Sequence, residues 1–169
     1  MQDLRYYKVM ADYNYWMNIK ILSIASEIPD ERRREDLGAT FKSIHATLNH
    51  ILWSDRVWLA RFRDQPLGEL AKQTILYQDF DELRQAREQT DRDIQQWVDE
   101  LTVEWLKSPF SFDSLTDGQT RTLPAWVLAV HLFNHQVHHR GQITALLSRL
   151  GYEYGVTDLP WLPSLQAVE

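Results

Sequence analysis

Four of the six histidines lie within nine residues, at His131, His135, His138 and His139. The segment has the period of a helix, so His135 and His139, four residues apart, place their side chains one above the other. Two imidazole nitrogens then point at one position, as binding of a metal ion requires. Because two ligands rarely hold a metal, the pattern predicts a third ligand elsewhere in the chain.

The helix that carries this cluster is predicted to be amphipathic. At ~100° per residue, His135 and His139 lie in the middle of its apolar stripe, while His131, His138 and Gln142 lie at the edge. The opposite face is polar and carries Arg140, Thr144 and Ser148. The wheel therefore predicts two inward-facing ligands and two edge histidines.

An earlier predicted helix contains the other two histidines. His50 lies among apolar residues and is the natural third ligand. Asp55 lies ~140° around the helix from His50, too far to reach the same ion directly. A narrow polar arc is predicted to face solvent, and it contains Lys42, His45, Asn49, Arg56 and Arg63.

Three histidines would leave one coordination position open, as in catalytic zinc sites. Asn14 and Asn18 of the first predicted helix, with His138 and Gln142, are candidates to hydrogen-bond the ligands or contact a substrate. A fourth protein ligand, such as His131 or Asp55, would instead favour a closed structural site. Carboxylate-bridged di-iron chemistry fits poorly, because the chain contains no Glu-x-x-His motif.

The composition restricts the function classes. The net charge is −6 and no basic stripe occurs, which argues against nucleic acid as a partner. There is no cysteine, which excludes thiolate chemistry of the chain itself and favours a reducing cytoplasm. The charged segment 1–5 does not resemble a signal peptide, and no apolar run approaches the ~20 residues of a membrane helix.

The chain is predicted to form one all-α domain, residues 1–169, with the architecture of a four-helix bundle. Residues 110–122 alternate around Asp117-Gly118 and predict a small hairpin before the last helix. Residues 152–169 are predicted to form an irregular tail. The predicted helices span about 4–28, 37–63, 79–106 and 122–151, with a capping box at Asp79–Glu82 and an early proline at Pro124.

Three segments resemble the DinB (DinB/YfiT-like) family: residues 13–18, 48–62 and 131–142, the last being the most specific. The resemblance spans nearly the whole chain. It implies an up-down-down-up bundle, commonly a homodimer, with an open three-histidine site that usually holds zinc or nickel. The family ligands fall on His50, His135 and His139. The apolar circumference of the second predicted helix also favours a homodimer.

The resemblance implies a function more loosely than it implies a fold. Relatives in the wider superfamily include transferases and isomerases that use the low-molecular-weight thiols bacillithiol or mycothiol. We therefore expect a divalent transition metal and a small-molecule substrate, with thiol S-transfer or metal-assisted hydrolysis as the reaction. The alternatives are a non-enzymatic metal-binding or stress-response module with a structural or vestigial site, and a hemerythrin-like carrier that would need two irons.

Overall fold

The structure is a computed structural model that describes residues 3–166. The first two residues of the sequence, and the last three of the predicted tail, lie outside that range. The helices within it are α1 (Leu4–Glu27), α2 (Asp30–Arg34), α3 (Ile44–Phe62), α4 (Phe80–Asp99), α5 (Val103–Lys107), α6 (Ala125–Arg149) and α7 (Pro163–Gln166). Two strands, β1 (Pro109–Asp113) and β2 (Thr120–Pro124), form a hairpin before α6. The predicted all-α fold with a hairpin before the last long helix is confirmed.

Helices α1 and α4 run antiparallel. Lys8 near the start of α1 pairs with Asp99 at the end of α4, with 2.8 Å between Nζ and Oδ1. Further along α1, Asn18 donates to Asp91, which lies two turns earlier in α4. Residue numbers that increase along α1 therefore meet decreasing residue numbers along α4.

Helix α3 runs parallel to α4 and antiparallel to α6. Asp55 pairs with Arg87, and seven residues later Phe62 stacks on Trp97, so both helices advance together. Between α3 and α6 the order is reversed. His50 contacts His135, and Trp58, two turns later in α3, contacts His131, one turn earlier in α6. Since α6 also contacts α1, the four long helices form a closed bundle with up-down-down-up directions.

Local signals fix where the long helices start. Asp79 accepts a hydrogen bond from the backbone N–H of Glu82 at 2.9 Å, as the predicted cap requires. Ser43 does the same for Ala46 at 3.1 Å, so α3 begins at Ile44 and not at residue 37. Residues 37–43 form a tight turn instead, in which Lys42 adopts a left-handed backbone with φ of 67°.

Two other predicted boundaries were wrong. Helix α4 ends at Asp99 and not near residue 106, because the Thr102 side chain caps the separate short helix α5. The last helix begins at Ala125, since Thr122 lies in β2 opposite Ser111 of β1. The hairpin itself has its turn at Gly118, whose φ of 70° suits glycine.

The polar arc of α3 is covered by the segment that connects α3 to α4. The backbone carbonyl of Tyr77 accepts hydrogen bonds from His45 Nε2 and Asn49 Nδ2, both at 3.0 Å. Asn49 Oδ1 accepts in turn from the backbone N–H groups of Leu76 and Tyr77. The prediction that His45 faces solvent was wrong, because its side chain is buried with 3% exposure.

The remaining circumference of α3 is also covered within the chain, by α4 and α6. The apolar side chains of α3 therefore pack within the chain. The apolar circumference of this helix is no longer a reason to expect a homodimer. The homodimer stays a prediction from the family resemblance alone. In the part of the chain that the structure describes, no helix is both long and apolar enough to span a bilayer.

Candidate metal centre

His50, His135 and His139 converge at the interface of α3 and α6. The Nε2 atom of His135 lies 3.3 Å from that of His50 and 3.0 Å from that of His139. One ligand atom from each ring fits within a mutual distance of 4.8 Å. Nitrogens bound to one tetrahedral Zn²⁺ at ~2.0–2.1 Å would be ~3.3 Å apart. The geometry of the three rings therefore fits a single ion.

The three imidazoles are held in their neutral form. Burial, and then the neighbouring histidines, lower the pKa of His135 to about 3. Burial and the nearby His139 lower the pKa of His50 to about 4, and burial also lowers the pKa of His139. Neutral imidazoles at pH 7 have free lone pairs, which is the state that a metal requires.

Gln142 fixes the orientation of one candidate ligand. The Nδ1–H of His139 donates to Gln142 Oε1 at 2.9 Å, which leaves the Nε2 lone pair directed at the centre. The sequence named Gln142 as a candidate to hydrogen-bond a metal ligand or contact a substrate, and its side chain is hydrogen-bonded to His139. The Nδ1 atom of His135 is buried and has no hydrogen-bond partner among residues 3–166.

An aromatic wall borders the centre. The Phe41 ring stacks on the His50 ring at 3.8 Å and meets the His139 ring edge-on at 5.4 Å. Trp53 lies on α3 with its ring 5.7 Å from that of His50. Sequence reasoning missed Phe41, because the helix predicted from residue 37 hid the turn that brings this ring over the histidines.

The edge histidines remain outside the group of three. His131 is exposed and packs edge-on against Trp58 at 5.3 Å, and His138 is exposed one residue before His139. Asp55 also stays away, since its carboxylate pairs with the Arg87 guanidinium. Among the residues described, no fourth side chain joins the three histidines.

Asn14 and Asn18 lie elsewhere than the sequence suggested. Both amides donate to Oδ1 of Asp91 at 3.0 Å, and both side chains are buried. Within the described range, neither amide contacts a histidine. These residues belong to a polar network in the bundle core, not to the candidate metal centre.

That network links all four long helices. Arg87 of α4 donates to Asp55 of α3 and to Asp91 of its own helix. Asn14 of α1 joins Asp91 to Arg140 of α6, because it donates to the first and accepts from the second. Gln136 Oε1 accepts a further bond from Arg140 at 3.1 Å and completes the network.

Arg140 lies on the side of α6 opposite the histidines, as the helical wheel predicted, but it does not face solvent. Its side chain is buried with 4% exposure, because that side of α6 packs against α1. Burial lowers the Arg140 pKa to about 10, which still leaves a cation at pH 7. Burial also raises the pKa values of Asp55 and Asp91, against the attraction of Arg87.

Stability of the metal-free protein is expected to depend on the His50 imidazole. Its pKa is about 4 in the folded protein against 6.5 for an unperturbed histidine, so between these values the unfolded chain binds more protons. Unfolding free energy attributable to His50 therefore falls as pH is lowered through this window. Urea unfolding with a chelator present measures this change. Between pH 6.5 and 4, the free energy of unfolding should fall less in His50→Gln than in the wild type. The raised pKa of Asp55 makes its contribution to the unfolding free energy rise as pH is lowered. Both proteins contain Asp55, so this contribution largely cancels when the two pH dependences are subtracted.

The fold and site together define a helical bundle with up-down-down-up directions that carries, between two antiparallel helices, three histidines able to hold a metal ion. The chain belongs to the DinB family, whose family model matches residues 1–169. It is 29% identical over 153 residues to Protein DinB of Bacillus subtilis (strain 168), a match that covers 88% of each chain. A search of solved structures gave no significant match. The resemblance stated from the sequence is thus confirmed.

Proposed function

We propose that this DinB-family protein binds one divalent transition metal ion through His50, His135 and His139 and acts on a small molecule. The observation that supports this most strongly is the convergence of three Nε2 atoms from neutral imidazoles. Imidazole suits zinc, nickel, copper and iron. Zinc or nickel is our proposal, in line with the family resemblance.

An open coordination position supports an enzyme over a purely structural site. Structural zinc is closed by four protein ligands, whereas catalytic zinc keeps one position for water or substrate. Within residues 3–166, Asp55 pairs with Arg87, and His131, whose ring centroid is 5.6 Å from that of His135, is not part of the group whose ligand atoms converge. His50 and His135 are only half-buried, so the centre is accessible from one side.

The chemistry we propose is thiol S-transfer or hydrolysis. A bound ion would hold a low-molecular-weight thiol as its thiolate, or lower the pKa of a water molecule towards neutrality. Gln142 holds His139 in place through one amide atom, and its Nε2 lies 3.4 Å from His138 Nε2 and 3.5 Å from Thr40 Oγ1. These exposed polar groups are placed to orient a substrate, with Phe41 as an apolar wall.

Two measurements on the full chain test this function. Zinc or nickel titrated into the metal-free protein should saturate at one ion per chain, as read by elemental analysis after desalting. The loaded protein should then consume a small thiol in the presence of an electrophilic substrate, or hydrolyse an ester or amide. His139→Ala should do neither.

The outcomes separate the alternatives. Two ions per chain would contradict the mononuclear site and support a di-metal carrier. One tightly held ion with no turnover, and with spectroscopic evidence of four protein ligands, would contradict the enzyme and leave a structural metal site. Turnover that survives in His139→Ala would place the chemistry elsewhere.

A further inference from the structure

A small pocket lies on the side of α6 that faces away from the histidines. It has a volume of about 120 Å³ and is bounded by α1, α6 and the tail near Thr157. Tyr13 closes one side, because its hydroxyl donates to the Thr157 carbonyl at 2.6 Å and so fastens the tail to α1. Met17 and Val137 provide apolar walls, and Arg140 is the charged group that lines the pocket.

Arg140 has unused donors on one edge of its guanidinium group. Its Nη1 donates to two neutral oxygens, those of Asn14 and Gln136. Its Nε and Nη2 have no acceptor within the described part of the chain. This Nε–Nη2 edge is the planar fork that binds a carboxylate through two parallel hydrogen bonds. Neither atom is among the fully buried side-chain atoms that lack a hydrogen-bond partner, so water reaches this edge and a bound carboxylate would replace that water.

Gly141 keeps the pocket accessible. It lies inside α6, where glycine disfavours the helix relative to alanine. A Cβ built on Gly141 would meet no atom within 4 Å, so packing within the chain does not require glycine at this position. A larger side chain there would reduce the space beside Arg140, because Gly141 also lines the pocket.

We propose that this pocket binds a small monocarboxylate with a short aliphatic tail. The carboxylate pairs with the Nε–Nη2 edge of Arg140, and the tail contacts Met17 and Val137. A larger dianion such as phosphate fits less well, because among residues 3–166 Arg140 is the one charged residue of the lining and Met17 and Val137 form apolar walls. The site is separate from the candidate metal centre, so it does not depend on the proposed function.

Propionate is the probe, titrated into the full chain at constant ionic strength by calorimetry and by thermal unfolding. We expect saturable binding and a raised Tm with propionate, and neither with propionamide, which has the same shape without the charge. Arg140→Lys keeps the charge but removes the fork, and it should weaken binding about tenfold, the value of one charge-assisted hydrogen bond.

Gly141→Leu leaves Arg140 in place and should abolish propionate binding. Ser148→Leu is its control, because Ser148 is exposed on the same helix two turns away. Both variants should give the circular dichroism spectrum of the wild type, which shows that the fold is retained. Equal binding by propionate and propionamide, tighter binding of phosphate than of propionate, or unchanged affinity in Gly141→Leu would each overturn the proposal.

Discussion

Alanine at His135 or at His139 is expected to lower metal affinity more than ~100-fold. Loss of an outer-shell partner alone typically reduces affinity 10–100-fold, and loss of a ligand removes a bond to the ion itself. The two rings lie on successive turns of α6, with 3.0 Å between their Nε2 atoms, so neither can replace the other. Competition with a chelator of known affinity measures the change, with circular dichroism to verify the fold.

The matched control is His138→Ala. His138 is on the same helix and adjacent to His139, but it is exposed and outside the group of three. It should retain metal with nearly unchanged affinity. His45→Ala is a poor control, because it would remove a buried hydrogen bond to Tyr77. Equal loss of metal in His138→Ala and His139→Ala would show that the ligands are assigned wrongly.

The histidine geometry was predictable because it depends on local periodicity. Spacing of four residues places His135 and His139 on one face of any helix, whatever the rest of the fold. His50 was found because a titratable residue in an apolar arc needs a partner. Only the fold could bring His50 to the other two, since 85 residues separate it from His135.

The long helices were also predictable from local periodicity, whereas the residues at which they begin and end were harder to predict. Hydrophobic period, the Asp79 cap and the turn at Gly118 each act within a few residues. The predicted α3 boundary was wrong because residues 37–43 continue a helix-like pattern in the sequence, whereas Gly38 and Lys42 adopt positive φ and Ser43 caps the helix. That error hid Phe41, which contributes to the wall of the site.

The polar arcs were misread because a helical wheel assumes that polar faces are hydrated. His45 and Asn49 are polar, but the connecting segment at Tyr77 supplies their hydrogen-bond partners. Arg140 is charged, but the side-chain oxygens of Asn14 and Gln136 in the core accept hydrogen bonds from its guanidinium. Such partners come from distant parts of the chain, so the pattern of one helix does not reveal them.

Asp91→Ala is expected to lower the free energy of unfolding by about 3–5 kcal/mol, the usual result of removing one partner from a buried ion pair. Asp91 is buried with 2% exposure and accepts from Arg87, Asn14 and Asn18. Its removal leaves buried donors without an acceptor, and it breaks the connection through Asn14 between α4 and Arg140 of α6. Urea unfolding at pH 7, with a chelator present, measures the loss.

Asp99→Ala isolates the effect of burial. Asp99 also joins α4 to α1, through Lys8, but both side chains of that pair are more than half exposed. Water and salt compensate such pairs, so this variant should unfold within about 1 kcal/mol of the wild type. Equal losses in the two variants would show that the network contributes no more than a surface ion pair. A large loss in Asp91→Ala alone would show that the buried network, which joins α4 to α1 and α3 and reaches Arg140 of α6 through Asn14, stabilises the bundle more than a surface ion pair does.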